Sequence, residues 1–188
     1  MSPEHEDHED RSFERIATRT IHEGRIITVT DETYRYADGK TADRETVRTT
    51  GAVAIVAADD EHVWLVRQPR EAIGDPDSLE VPAGRLDVEG EEPLAAAQRE
   101  LAEEIGLQAA RWTHLKTYNS SVGFTNEAVR LFLAEDLSPA IGEHDSGEDE
   151  RIEIVRWPLD DLDGALAATS DSKTVIGLLL LERRRRSA

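Results

Sequence analysis

Hydrophobic and polar positions alternate in a way that predicts mostly strands, with one short helix near the middle of the chain. Residues 51–58 form a continuous apolar run of strand length, which indicates a strand buried on both faces. We predict that residues 62–67 pair with it as a hairpin, that residues 68–70 leave the sheet, and that residues 73–76 form a loop. Further strands are predicted at residues 112–118, 128–134 and 152–157, and helices at residues 159–168 and 173–184.

Residues 13–50 carry a weaker β pattern. Short β-prone runs at residues 16–21, 25–30, 33–36 and 45–49 are separated by the turn pairs Glu23-Gly24 and Asp38-Gly39. The pattern predicts a small N-terminal antiparallel sheet. Because so small a sheet is not stable by itself, we expect it to pack on the main domain or on a second subunit.

The expected organisation has three parts. Residues 1–12 are acidic and polar and are predicted to be a disordered tail, with a weak metal site at His5 and His8 as the alternative. Residues 13–50 form the N-terminal sheet, and residues 51–188 form the main domain.

Composition excludes several classes of function. The formal net charge is −18, which disfavours binding to nucleic acid on electrostatic grounds. Cysteine is absent, so disulfides, thiolate catalysis and cysteine-held zinc are excluded. The sequence has neither a signal-peptide pattern nor an apolar run long enough to span a membrane, and we expect a cytoplasmic protein without membrane partners.

The central helix has clear start and stop signals. Glu91 and Glu92 precede Pro93, a residue that suits a first helical turn, and Gly106 is typical of a helix C-terminus. The predicted buried stripe of this helix consists of Leu94, Ala97, Leu101 and Ile105.

Glu100, Glu103 and Glu104 fall together beside that stripe, since residues three and four positions apart are neighbours on a helix. Like charges at this spacing repel one another, so they need full solvation or a cation between them. One interpretation is a solvated acidic face. The other is a site for Mg²⁺, which prefers oxygen ligands and binds a few carboxylates together with substrate phosphates.

The spacing of these residues resembles the signature of the Nudix hydrolases. Gly84, Glu91 and the run Arg99-Glu100-Leu101-Ala102-Glu103-Glu104-Ile105-Gly106-Leu107 match that signature, except that six residues instead of five separate Gly84 from Glu91. The extra residue lies in the loop and should leave the helical glutamates in register. The resemblance implies an α/β fold: a Nudix-type α/β/α sandwich with a mixed sheet, plus the small N-terminal antiparallel sheet.

Segments outside the signature resemble the ADP-ribose pyrophosphatase branch of that family. They include residues 24–29, 38–40 and 44–45, residues 66–70, and the run Leu79-Glu80-Val81-Pro82-Ala83-Gly84. Members of this branch exchange N-terminal sheets in a homodimer. The branch usually carries Ser-Pro-Gly-Phe after the signature, whereas here Val122 stands in place of the proline, between Ser121 and Gly123-Phe124.

The resemblance also implies the roles of individual residues. Glu100, Glu104 and the Ala83 carbonyl are expected to bind Mg²⁺, or Mn²⁺, as two or three ions, with Glu103 supporting the cluster and Arg99 orienting Glu103. Arg70 is expected to contact the phosphates, with a plain surface arginine as the alternative. The remaining expected substrate contacts are Glu80, Gly123 and Phe124.

A general base is expected on the acid-rich loop at residues 138–151. The resemblance favours Glu150, and Glu148 and Glu153 remain alternatives. The implied reaction is the hydrolysis of ADP-ribose to AMP and ribose 5-phosphate. The alternatives are another nucleoside diphosphate derivative, such as a nucleotide sugar, and a non-catalytic module that senses a nucleotide.

Overall fold

The computed structural model describes residues 10–141 and 151–187. The chain forms two compact units. The first, the N-terminal unit, comprises Met1–Thr49 and Ser121–Glu127, and the second, the sandwich unit, comprises Thr50–Ser120 and Ala128–Ala188. In the described part of the chain, no helix is long and apolar enough to cross a membrane.

The N-terminal unit is built on a three-stranded antiparallel sheet of β1 (Phe13–Glu23), β2 (Thr28–Tyr36) and β3 (Thr41–Arg48), in the order β1-β2-β3. Residues 25–30 and 33–36, predicted as separate strands, belong largely to the single strand β2. Polar residues interrupt the β pattern there, but Glu32, one of them, is buried in the sheet and hydrogen-bonded to Arg48 of β3. The segment Ser121–Glu127 covers the outer edge of β3, since Val47 N–H donates to the Phe124 carbonyl at 2.7 Å.

The sandwich unit contains one mixed sheet. Its strands are β4 (Ala52–Ala58), β5 (His62–Arg70), β6 (Asp75–Glu80), β7 (Ala83–Arg85), β8 (Leu107–Asn119), β9 (Ala128–Pro139) and β10 (Glu153–Pro158). They lie in the order β10-β5-β4-β9-β8, with β6 paired to β5 and β7 paired to β4. The β4–β9 pair is parallel and the other pairs are antiparallel. The predicted central strand is therefore confirmed as β4.

Helices cover both faces of this sheet: α1 (Pro93–Ile105) on one, and α2 (Leu162–Ala168) with α3 (Ser172–Arg185) on the other. Alternate residues of β4 point to opposite faces. Val53 and Ile55 pack with Leu101 of α1, whereas Ala54 and Val56 pack with Leu178 of α3. The predicted α/β/α sandwich is thus confirmed.

Two local predictions about the sheet are wrong. Strand β5 continues through Pro69 to Arg70, and β6 begins at Asp75 and contains Pro76, although both segments were expected outside the sheet. Proline is tolerated there because the β5–β6 register is irregular between Gln68 and Arg70. Proline in a sheet is confined to such irregularities and to edges.

The predicted buried stripe of α1 also needs a correction. Leu94 is 40% exposed, whereas the buried residues of the helix are Ala96, Ala97, Leu101, Glu104 and Ile105. Leu94 lies in the first helical turn, and burial begins only at Ala96. Glu104, placed beside the stripe by its spacing, is itself part of the buried face.

Candidate active site

Helix α1 presents the acidic residues from a rigid frame. Pro93 lies in its first turn, and Gly106 ends it in a left-handed conformation with φ 68°, donating its N–H to the Ala102 carbonyl at 3.0 Å. These are the helix limits that the sequence predicts. Because Leu101 and Ile105 are buried against the sheet, the neighbouring glutamates are held at fixed positions.

Arg99 is the hub of the acidic cluster. Its Nη1 donates to Glu100 Oε1 and to Glu103 Oε2, each at 2.8 Å. Its Nε and Nη2 donate to the two oxygens of Glu91, each at 3.1 Å. One guanidinium therefore neutralises three carboxylates in part, and its hydrogen bond lowers the pKa of Glu91.

The loop before α1 accommodates the residue that the family signature lacks. It turns at Gly90, with φ 77°, and Glu91 N–H donates to the Val88 carbonyl at 3.2 Å. A positive φ of this size is comfortable only for glycine. The turn delivers Glu91 to Arg99 even though the loop is one residue longer.

Strand β7 lies directly against two of the glutamates. The Ala83 N–H donates to Glu104 Oε2 at 3.1 Å, and a Cβ placed on Gly84 would lie only 1.9 Å from Glu100 Cδ. Strand β7 is fixed in turn by its pairing with β4. We call this arrangement of Ala83, Gly84, Glu100 and Glu104 the carboxylate cradle.

The donor set of the carboxylate cradle fits a hard divalent cation. It consists of carboxylate and backbone carbonyl oxygens, the ligands that Mg²⁺ prefers. Within residues 10–141 and 151–187, however, no three His, Asp or Glu side chains are arranged so that they could hold a metal ion. Glu100 and Glu103 are turned onto the Arg99 guanidinium.

Arg70 and Glu80 form a second charged cluster in the sandwich unit. Arg70 Nε and Nη2 donate to the two oxygens of Glu80 at 2.6 and 2.5 Å, and Lys173 Nζ lies 3.4 Å from Glu80 Oε2. Burial by itself would raise the pKa of Glu80, but the hydrogen bond from Arg70 and the charge of Lys173 outweigh it and lower that pKa. The two residues expected to contact substrate, Arg70 and Glu80, are thus paired with each other.

The pKa of Arg70 is also affected by a charge of the carboxylate cradle. The hydrogen bond to Glu80 is the main cause of its raised pKa, and the charges of Asp171 and Glu104 add to it. Of the α1 glutamates, Glu104 is thus the one whose charge acts on Arg70.

Gly123 and Phe124, the other expected substrate contacts, belong to the N-terminal unit. They help to line a cleft of about 290 Å³ whose walls combine aromatic rings with guanidinium groups. Its other main residues are Phe13, Tyr34, Tyr36, Arg44 and Arg48. Val122, which stands where the branch has proline, is 89% exposed.

Among the candidate bases, Glu148 and Glu150 lie outside the described residues. Glu153 is exposed and opens strand β10, where it is in register with Arg67 of β5. It thus lies on the strand predicted at residues 152–157, outside the acid-rich loop on which the base is expected.

The sequence did not predict a role for three residues that are linked to the Arg70–Glu80 pair: Asp171, Lys173 and Thr174. Asp171 caps α3 by accepting the Thr174 N–H at 2.9 Å. An aspartate directly before a helical pattern is a recognisable cap signal. Lys173 also stands out in the sequence, as one of three lysines in a chain whose other basic residues are arginines.

Comparisons with known proteins identify relatives of this chain. The family model of the NUDIX domain matches residues 47–178. The chain is 39% identical to the ADP-ribose pyrophosphatase of Mycobacterium tuberculosis, over 79% of this chain and 71% of that protein. It is 38% identical to the ADP-ribose pyrophosphatase of Bacillus subtilis, over 78% of each.

A solved structure extends the likeness to nearly the whole chain. The crystal structure of an ADP compounds hydrolase aligns with a TM-score of 0.84 and 26% identity, covering 96% of this chain and 97% of the other. The chain therefore belongs to the Nudix hydrolase family. The resemblance noted in the sequence is confirmed at the level of family and fold.

Proposed function

We propose that this protein hydrolyses the diphosphate bond of ADP-ribose to give AMP and ribose 5-phosphate, using Mg²⁺. The observation that carries the proposal is the carboxylate cradle, in which Glu100 and Glu104 lie against the Ala83–Gly84 backbone. The relatives named ADP-ribose pyrophosphatases support the choice of substrate. Two or three ions are expected, and Mn²⁺ is an expected substitute.

The chemistry of a diphosphate explains why such a cradle is needed. Its anionic oxygens repel an incoming nucleophile, so the site must neutralise charge. Bound divalent cations supply that neutralisation and lower the pKa of water. Glu100, Glu104 and the Ala83 carbonyl would hold them, while Arg99 keeps Glu103 beside the cluster through its 2.8 Å ion pair.

Arg70 would bind the phosphates. Glu80 engages its Nε and Nη2, which fixes the plane of the guanidinium, and the side chain remains 41% exposed. A guanidinium carries five N–H donors, so two bonds to Glu80 leave donors for phosphate oxygens. Glu80 then serves substrate binding through Arg70. The roles expected for Gly123 and Phe124 stay predictions.

The general base would be Glu150, with Glu148 and Glu153 as alternatives. The carboxylates of the cradle are engaged in holding cations, so removing a proton from water requires a further acid within reach. This assignment stays a prediction.

The protein would act as a homodimer through its N-terminal sheet. All residues of β1 are exposed, among them Phe13, Ile16 and Ile21. The outer edge of β3 is covered by Phe124 and Asn126, so among the described residues β1 is the edge of this sheet that a second copy could join. The cytoplasmic location stays a prediction.

The proposal is tested by product analysis. Purified protein is incubated with Mg²⁺ or Mn²⁺ and a panel of ADP-ribose, nucleotide sugars and dinucleotides, and the products are separated by HPLC. AMP and ribose 5-phosphate from ADP-ribose, at the highest kcat/KM of the panel, are expected. A higher kcat/KM for a nucleotide sugar would reassign the substrate, and binding without cleavage of any compound would favour a sensing module.

Glu104→Gln provides the matched variant for this assay. It keeps an oxygen for the Ala83 N–H but removes a charged ligand, so most of the activity should be lost while the fold is kept. Glu92→Gln, an exposed acid before α1, makes the same charge change outside the carboxylate cradle and should retain activity. Equal turnover in the two variants would refute the metal site.

A further inference from the structure

The first turn of α3 holds the strand end that leads into the carboxylate cradle. Thr174 is fully buried, and its Oγ1 accepts the Val81 N–H at 2.8 Å. The same hydroxyl donates to Asp171 Oδ2 at 2.7 Å. Because its single proton goes to Asp171, its lone pairs are available to the Val81 N–H.

The two residues before Val81 are held by the same part of the chain. Thr169 Oγ1 donates to the Leu79 carbonyl at 2.7 Å. Lys173 Nζ lies 2.7 Å from Asp171 and 3.4 Å from Glu80. Three consecutive residues, Leu79 to Val81, are therefore each fixed by a polar side chain between residues 169 and 174.

The path from Val81 to the cradle is short and stiff. Pro82 follows, with φ restricted by its ring, and its carbonyl accepts the Ile55 N–H at 2.8 Å. Ala83 and Gly84 come next, against Glu104 and Glu100. Only Pro82, with its restricted φ, therefore separates Val81 from the backbone of the cradle.

The docking of α3 also rests on apolar contacts. Leu178 and Leu181 are buried in the core, and a Cβ on Gly177 would lie 2.8 Å from Val56 Cγ2, which shows how closely the helix approaches β4. Apolar packing thus attaches the helix, and the polar contacts of its first turn set the position of Leu79–Val81.

We propose that Thr174, oriented by Asp171, is a positioning residue that aligns the Ala83–Gly84 backbone with Glu100 and Glu104. Its catalytic consequence rests on the proposed metal-dependent function. The residue touches no substrate; it acts through Val81 on the oxygen ligands of the site.

The test compares Thr174→Val with Thr174→Ser. Valine keeps the shape of the side chain but lacks the hydroxyl, whereas serine keeps the hydroxyl. Three quantities are measured: Mn²⁺ affinity of the substrate-free protein by electron paramagnetic resonance, kcat for ADP-ribose, and Tm. Thr174→Val should weaken Mn²⁺ binding and lower kcat, each by about 10-fold or more, since small misplacements of catalytic groups have effects of that order. Thr174→Ser should stay within about 2-fold of wild type for both.

Asp161→Ala is the control for loss of stability alone. Asp161 caps α2 by accepting the Gly164 N–H at 3.2 Å, in the same helical layer but without contact to residues 79–84 among the hydrogen bonds described. It should lower Tm and leave Mn²⁺ affinity and kcat unchanged. If Thr174→Val does not fold, Thr169→Val makes the same comparison at a partly exposed position, with Thr169→Ser as its rescue.

Two outcomes overturn the proposal. The first is a Thr174→Val protein with lowered Tm but wild-type Mn²⁺ affinity and kcat, which would leave Thr174 a purely stabilising role. The second is a Thr174→Ser protein as impaired as Thr174→Val.

Failure of the proposed function gives different results. If only the substrate differs, the wild-type protein binds Mn²⁺ without cleaving ADP-ribose, and the Mn²⁺ affinities still compare the variants. If the metal site itself fails, the wild-type protein does not bind Mn²⁺. Amide hydrogen exchange at Ala83 decides the positioning role in that case. Exchange faster in Thr174→Val than in Thr174→Ser supports it, and equal exchange rates in the two variants refute it.

Discussion

The Glu100 carboxylate occupies the place that a side chain at position 84 would need, since a Cβ on Gly84 would lie 1.9 Å from Glu100 Cδ and 2.0 Å from Oε1. The glycine is required here by space. Its φ lies outside the left-handed region, so the backbone itself would accept alanine. The glycine that begins the family signature thus makes room for a glutamate near its end.

Gly84→Ala should therefore damage the site more than the fold. Glu100 has a flexible side chain and can swing away, so the free energy of unfolding should fall by no more than about 1 kcal/mol. The displaced carboxylate should lower kcat by about 100-fold and raise the Mg²⁺ concentration for half-maximal rate. Steady-state kinetics over a Mg²⁺ series and thermal unfolding measure the two effects.

A double-mutant cycle checks the cause of that loss. In a Glu100→Ala background the displaced group is gone, so adding Gly84→Ala should change kcat little further. Additive losses would mean that Gly84 acts through something other than Glu100.

Arg99→Gln should make the protein more responsive to magnesium. Without the guanidinium, Glu91, Glu100 and Glu103 repel one another, and Tm in EDTA should fall. A bound cation would relieve that repulsion, so Mg²⁺ should raise Tm more in the variant than in wild type. Arg85→Gln, which breaks an exposed pair with Asp87, is the control. An equal Mg²⁺ shift in all three proteins would contradict the expectation.

Glu32 should make the N-terminal unit sensitive to acid. Burial would raise its pKa, but the hydrogen bonds from Arg48, Tyr34 and Thr30 outweigh burial and lower the pKa of Glu32 from 4.5 to about 2. A lowered carboxylate pKa stabilises the fold above the unfolded value and loses that effect as pH falls through the folded value. The contribution, roughly 3 kcal/mol above pH 4.5, should therefore disappear between about pH 4.5 and 2.

The measurement is the difference in unfolding free energy between wild type and Glu32→Gln. Urea titrations are followed by near-ultraviolet circular dichroism, which sums the signals of all aromatic residues. Tryptophan fluorescence in the same titration reports the sandwich unit alone, because all three tryptophans lie there. The difference should be large at pH 7 and small near pH 2. Glu45→Gln, at an exposed position of the same sheet, controls for the loss of one charge. A difference that does not vary with pH would contradict the assignment.

Glu150→Gln should lower kcat by about 10²- to 10⁴-fold with little change in KM, the usual contribution of a general base. Glu148→Gln and Glu153→Gln should show much smaller losses in the same assay. If the Glu148 or Glu153 variant lost its activity while the Glu150 variant stayed active, the role of general base would be reassigned to that residue. Three active variants would exclude a base from this part of the chain.

Deleting residues 1–12 should change little, whereas deleting residues 1–50 should abolish the dimer or the solubility of the protein. A finer probe is Ile21→Lys, which places a charge on the exposed strand β1 without removing the sheet. Sedimentation velocity should show this variant as a monomer. A dimeric Ile21→Lys protein, or a folded and active monomer that lacks residues 1–50, would refute the role of the N-terminal sheet.

The sequence predicts what depends on local pattern. Helix α1 has a proline at its start, a glycine at its end and a regular spacing of Ala97, Leu101 and Ile105, so its limits and its buried face were largely predictable. Strand β6 was not, because Pro76 is a breaker in most contexts and its tolerance depends on an irregular register with β5.

The candidate site shows the same division. The spacing of Glu100, Glu103 and Glu104 places them together, and the family resemblance adds Ala83. The bond between Thr174 and Val81 joins residues 93 positions apart, and no periodicity marks a contact of that kind. The ion pair between Arg99 and Glu91 could likewise not be predicted from helical spacing, because Glu91 lies before the helix.

The long separation between Val81 and Thr174 has a consequence for the protein during its synthesis. The strand end that carries Ala83 and Gly84 leaves the ribosome well before α3 does, and until then Ala54, Val56 and Val81 lack the helical layer that covers them. The chain grows during translation at about 5–20 residues per second, so this apolar face stays uncovered for several seconds. A polypeptide terminated before residue 172 would keep it open permanently, and would be a substrate for chaperones and proteases instead of a slower enzyme.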